Sequence, residues 1–163
     1  MEFSIRPAAT HDYDALATIF AEVEQLHRTA LPQIFRAPDG PVLSREYFAA
    51  MLADERAAWL VAAQQGELLG YVTVRMMQAP ERPMLQPRGY AAVDNLAVRE
   101  SYRRLGIGQA LLRRAEQWAA EQQLSEIELN VWEFNQAAVE FYEKLGYRTQ
   151  RRTMWRDISD ANP

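Results

Sequence analysis

The feature that most constrains this chain is the run Arg103-Arg104-Leu105-Gly106-Ile107-Gly108, set between the apolar stretch Tyr90 to Val98 and the helix-like stretch Gln109 to Glu121. A strand that enters a glycine-bearing turn and leaves it as a helix aims unobstructed backbone N–H groups at one point, where the helix dipole favours negative charge. Phosphate oxygens fit such a cradle, and Arg103 and Arg104, with Arg99 nearby, set cations beside it. The run is not a P-loop, because one residue separates its glycines and Gln109-Ala110 stands where Lys-Ser or Lys-Thr is required. Nor is it a dinucleotide fingerprint. Leu111 occupies the place of the third glycine or alanine, Glu128 falls inside the next strand, and the turn lies too far along the chain to open such a domain.

Length and composition narrow the classes. The 163 residues make one domain's worth of chain, 48% apolar and 25% charged, which suits one soluble globule. No apolar run approaches a membrane span, and Met1 to Arg6 lacks the basic-then-apolar order of a signal peptide, so a cytoplasmic protein with no membrane partner is expected. The absence of cysteine excludes a disulfide framework, a thiolate metal site and a cysteinyl acyl-enzyme; no metal is expected. A net charge of −4 argues against a general nucleic-acid binder.

Along the chain, Phe3 to Arg6 reads as a strand and Thr10 as the N-cap of a helix from Asp12 to His27, with Leu16, Ile19, Phe20 and Val23 on one face. Pro32, Pro38 and Pro41 punctuate an unusually apolar loop, after which Ser44 caps a helix from Arg45 to Asp54. Trp59 to Ala63 and Leu68 to Met77 form a hairpin across Gln64-Gln65-Gly66-Glu67. Pro80, Pro83 and Pro87 interrupt regular structure before the strand Tyr90 to Val98. Ile107, Leu111, Ala115 and Trp118 mark the buried face of the next helix. Ile127 to Trp132 is a strand, Asn135 caps a helix that Gly146 ends, and Tyr147 to Ile158 contains a last strand. Tyr71, Trp132 and Trp155 are expected in the core. This order implies an α/β fold, a mixed sheet covered by helices, with Tyr90 to Trp132 as a strand–helix–strand crossover and hence a parallel pair.

Two separate blocks resemble the GCN5-related N-acetyltransferase superfamily. Arg103, Gly106 and Gly108 match its Arg/Gln-x-x-Gly-x-Gly/Ala signature, and Asn135-Gln-Ala-Ala-Val-Glu-Phe-Tyr-Glu-Lys-Leu-Gly-Tyr147 is similar to its late Asn-x-x-Ala-x-x-Phe-Tyr-x-x-Leu-Gly-Phe/Tyr segment. The resemblance is strong from Ala91 to Arg148 and covers only element order before that. It implies a single N-acetyltransferase domain over residues 1–163. It also implies a six- or seven-stranded, splayed mixed sheet flanked by about four helices, and it admits a homodimer.

The resemblance further implies acetyl-CoA as donor. The amides of Leu105, Gly106, Ile107, Gly108 and Gln109 would take the pyrophosphate, with Arg103 and Arg104 screening it and Asn135 contacting the cofactor. The backbone of Leu96, Ala97 and Val98 would pair with the pantetheine arm, in a gap left where that strand splays from the one beginning at Ile127. Tyr142 would protonate the departing thiolate, and a backbone N–H near Leu96 would bind the oxyanion. Positions where relatives carry a glutamate base hold Ala92 and Asn130; Asp94, one strand step from Ala92 and read as sharing its face, is the candidate base, acting directly or through water, with Glu24 and Glu133 as alternatives. Leu31, Ile34 and Phe35 would shape the pocket for the acceptor, a primary amine of a small molecule or peptide. His27 reads as a helix-terminal residue rather than a base. The missing glutamates keep a second reading open, a module that binds acyl-CoA without turnover.

Overall fold

The computed structural model describes residues 2–158, which divide at Asn130 and Val131 into two compact units. The first unit contains β1 (Ser4–Pro7), α1 (Tyr13–Ala30), α2 (Arg45–Ala53), β2 (Ala57–Gln64), β3 (Glu67–Gln78), β4 (Gly89–Val98), α3 (Ile107–Glu121) and β5 (Ile127–Leu129). The second contains α4 (Gln136–Lys144).

The strands form one sheet in the order β1-β2-β3-β4-β5. All neighbours are antiparallel except β4 and β5, which are parallel, as a crossover through α3 requires. Trp59, Val61, Ala63 and Tyr71 point from one face into a core completed by Tyr13, Leu16 and Ile19 of α1 and Phe48 of α2. The alternate residues Leu60, Val72 and Val74 are equally buried, and α3 packs on β2, β3 and β4 through Ile107, Leu111, Leu112 and Ala115. Tyr71 lies in the core, as expected; Trp132 and Trp155 are exposed.

Local chemistry sets the boundaries. The β2–β3 hairpin closes through Gln65 and Gly66 at φ of 49° and 84°, both left-handed, the two-residue turn whose twist suits an antiparallel pair. Ser44 Oγ accepts the Tyr47 N–H at 3.1 Å and starts α2. Thr10 does not cap α1. It belongs to a 3-10 turn over Thr10–Asp12, and Asp12 takes the Ala9 N–H at 2.8 Å while its carboxylate holds Arg6 at 2.6 Å and 2.8 Å. A carboxylate already fixed by an arginine reaches back to that N–H better than a free hydroxyl does.

Among the described residues the sheet has five strands, fewer than the six or seven expected. Among the described residues 147–158 no strand forms, because Arg148, Arg151, Arg152 and Arg156 crowd like charge there and the neighbours Met154 and Trp155 are both exposed, leaving no buried face. Strand β5 also stops at Leu129, short of the expected Trp132.

Candidate active site

Strand β4 is where the sheet ceases to be regular. Its pairing with β5 covers only Ala91, Ala92 and Val93 against Ile127, Glu128 and Leu129. Beyond Val93, β4 runs on to Val98 with β3 on one side and, among the described residues, no strand on the other. The closed end of this fork is pinned by Arg88, whose guanidinium bridges Glu126 and Glu128 and lies 4.6 Å over the Tyr90 ring. Leu96, Ala97 and Val98, the residues expected to pair with a pantetheine arm, all lie on the open half.

The register against β3 shifts between Thr73 and Val74, since Thr73 opposes Asn95 whereas Val74 opposes Val93. Asp94 is therefore the extra residue of a β-bulge, and two-residue alternation does not carry from Ala92 across it. Its side chain meets Arg75, with Nε 2.8 Å from one carboxylate oxygen and Nη2 3.1 Å from the other. Asn95 Nδ2 donates to Thr73 Oγ1 at 3.2 Å beside it. Gly70 faces Val98, where a Cβ would stand 2.4 Å from the Ala97 oxygen, so glycine is what lets β3 approach the end of β4.

The chain then turns into α3. Gly106 is the N-cap at φ 82°, and Ala110 N–H makes the first helical bond to its oxygen at 3.0 Å. The N–H groups of Ile107, Gly108 and Gln109 therefore have no intrahelical acceptor, and Leu105 and Gly106 precede them in the same exposed turn. Arg103 Nε donates to the Val98 oxygen at 3.1 Å, tying the turn to the end of β4; Arg104, exposed at φ 63°, shares the left-handed backbone of the turn. Arg99 is committed elsewhere. It pairs with Glu67 at 2.7 Å, and the Tyr102 hydroxyl donates to the same carboxylate at 2.9 Å. That contact pushes the Tyr102 phenol above its ordinary range.

Leu31, Ile34 and Phe35 follow α1 as a compact turn. Leu31 N–H bonds to His27 O at 2.8 Å, and the N–H groups of Ile34 and Phe35 both bond to Leu31 O. The His27 and Phe35 rings stack 5.1 Å apart, with Glu24 Oε1 3.9 Å from His27 Nδ1, which gives His27 the helix-terminal setting expected of it. Ile34 is half exposed.

In the second unit, Asn135 Oδ1 accepts the Ala138 N–H at 3.2 Å and caps α4, and Gly146 at φ 92° ends it. Tyr142 lies between Phe141 and Tyr147, ring centroids 5.2 Å and 5.8 Å away. Burial pushes its phenol up to about 12. Glu133 and Glu24, the alternative bases, lie 3.9 Å from Arg152 and from His27 respectively.

Thus the first unit joins Leu96–Val98, Arg103–Gln109 and Asp94 along one strand and the turn that leaves it, while Asn135 and Tyr142 share α4. Sequence reading missed Arg75, Gly70 and Arg88. Only Gly70 left a mark there, an isolated glycine within a strand pattern.

Residues 20–147 match the Acetyltransferase (GNAT) family. The chain belongs to that family of acetyltransferases. It is 31% identical to the N-alpha-acetyltransferase of Sulfurisphaera tokodaii over 98% of its own length and 90% of that protein's. It is 28% identical to the L-amino acid N-acetyltransferase of Escherichia coli over 91% and 85%. A crystal structure of the tetramutant of BH1408 protein from Bacillus halodurans superposes with a TM-score of 0.89 at 30% identity, covering 94% of this chain and 99% of that one. No helix among the described residues is long and apolar enough to cross a membrane.

Proposed function

We propose that the chain is an acetyl-CoA-dependent N-acetyltransferase acting as one domain over residues 1–163, transferring acetyl directly to a primary amine of an amino acid or peptide. The observation that carries this is the sequence of β4 and the α3 turn, a half-strand open on the edge away from β3 that leads, through a short 3-10 turn over Glu100–Tyr102, into a row of N–H groups with no intrahelical acceptor. Leu96, Ala97 and Val98 pair with the amides of the pantetheine arm, and the N–H groups of Leu105 to Gln109 hold the pyrophosphate with Arg103 and Arg104 beside it. Asn135 completes the cofactor contacts. The acceptor class draws support from the two relatives named for α-amine and amino-acid acetylation. The turn bearing Leu31, Ile34 and Phe35 supplies the apolar wall of its pocket.

In the reaction the neutral amine attacks the thioester carbonyl carbon, the C–N bond forms and the C–S bond breaks. A backbone N–H near Leu96 stabilises the oxyanion. Asp94 takes the proton leaving nitrogen, and Tyr142 gives one to the departing sulfur, to be reprotonated from solvent. The test incubates the protein with acetyl-CoA and a panel of amino acids, peptides and simple amines. Release of CoA thiol together with acceptors heavier by one acetyl group is the expected result, and silence across the panel overturns it. The engagement of both Asp94 oxygens by Arg75 favours one rival, a non-catalytic acyl-CoA binder, which would bind acetyl-CoA and release no thiol with any acceptor.

A further inference from the structure

The Arg75–Asp94 pair stands at the bulge, one residue past the last β4–β5 pairing, where the fork opens. Tyr71, Thr73 and Arg75 alternate onto the sheet face covered by α1, the helix whose end carries Leu31, Ile34 and Phe35. The pair is therefore on the side of the sheet from which an acceptor lined by that turn approaches the open half of β4.

The geometry of the pair leaves part of the arginine unused. Arg75 meets Asp94 side-on, through Nε and Nη2, and among the described residues nothing else bonds to its guanidinium. The Nη1 hydrogens and one on Nη2 remain, on a side chain that is half exposed. An ion pair that water reaches contributes little to stability, so holding the bulge is a weak reason for placing an arginine here. A guanidinium with a free edge is, however, the side chain best shaped to take a carboxylate through two parallel hydrogen bonds.

We infer that Arg75 reads the carboxylate of a free α-amino acid acceptor, while Asp94 receives the amino group attached to the same carbon. This inference rests on the acetyl-transfer reading above and narrows its acceptor class. The amino and carboxylate groups of a free α-amino acid sit on one carbon, and the Arg75–Asp94 pair offers a donor edge for the carboxylate and an acceptor oxygen for the amine side by side. A peptide N-terminus has an amide where the carboxylate would be and leaves the free edge of Arg75 unmatched. Arg75 is thus a specificity-determining residue, distinct from the groups that hold the donor.

L-leucine and L-leucinamide, which share a side chain suited to Leu31, Ile34 and Phe35 and differ only at the carboxylate, form the test pair. With wild-type protein and acetyl-CoA, kcat/KM is expected to favour leucine. In Arg75→Met the leucine-to-leucinamide ratio should fall about 10- to 100-fold, the range of a charge-assisted hydrogen bond or two, and Arg75→Lys should recover part of it. A ratio that does not move overturns the assignment, since a merely structural arginine would lower both acceptors alike. Calorimetry of the same two ligands on the CoA complex reads the preference without turnover. Preferential leucine binding lost in Arg75→Met sustains the inference even if no thiol is ever released, a result that would sink only the transferase reading. Equal binding of both ligands by the wild type overturns it.

Discussion

Tyr142 and Gly106 show how much rests on single positions. A phenol pushed up to about 12 is fully protonated at neutral pH, and it gives up a proton to a thiolate of ordinary basicity, about 8.5, only against a gradient of 3 to 4 units. In the proposed reaction that proton therefore moves late, as the C–S bond breaks and charge gathers on sulfur, and solvent then restores it to the phenolate. Tyr142→Phe is expected to lower kcat by about 10²-fold, the lower end of general-acid effects, with acetyl-CoA affinity unchanged by calorimetry. No loss of rate on the alkaline side between about pH 8 and 10 should trace to this residue, so that limb, if present, should persist in Tyr142→Phe. Gly106 makes a different kind of contribution. A Cβ there would touch nothing within 4 Å, yet φ is 82°, so Gly106→Ala meets backbone strain of about 1–2 kcal/mol and no clash. Relieving that strain would turn the N–H groups away from their common point. Acetyl-CoA affinity, measured by titration, should fall more than thermal stability does.

At the scale of elements, β3 follows β4 to Val98 whereas β5 leaves it after Val93, and under the proposed reading that disagreement is what makes room for the donor. Gly70 lets β3 close on the end of β4, while Arg88 keeps β5 to its beginning. Gly70→Ala drives a methyl group into the Ala97 oxygen, and an overpacked contact of this sort costs about 1–3 kcal/mol. Because the displaced residues are Ala97 and Val98, KM for acetyl-CoA should rise along with the drop in melting temperature; a lower melting temperature with KM unmoved would separate this contact from donor binding. The elements themselves were mostly legible. The Gln65-Gly66 turn, the Ser44 and Asn135 caps and the Gly106 turn are decided by a few adjacent residues, and those are visible in a linear chain. The bulge at Asp94 was not, because it exists only relative to the strand opposite, and with it went the partnership of Asp94 and Arg75, nineteen positions apart in sequence. The last strand failed for a related reason. Tyr147 to Ile158 contains β-prone residues, but its arginines and adjacent exposed apolar groups leave no face to bury.

For the whole molecule, acid is the informative perturbation. The Arg6 guanidinium hydrogen-bonds Asp12 and, with the Ala9 N–H, holds that carboxyl below its ordinary range despite burial. A lowered carboxyl stabilises the folded chain above its unfolded pKa and loses that contribution as pH falls toward the folded value. Wild type should therefore melt above Asp12→Asn at neutral pH, and the gap should close as pH drops below about 4. A gap constant with pH would mean that packing rather than charge explains the difference. The brevity of the β4–β5 pairing reaches further than the site. A ligand that lies along the open half of β4 serves as a missing structural member, and at about a hundred times its dissociation constant it adds about 2.7 kcal/mol to folding. Amide hydrogen exchange along Leu96 to Val98 should slow when CoA is added. In a cell whose proteases harvest transiently opened chains, the lifetime of this protein would then rise and fall with the acyl-CoA supply.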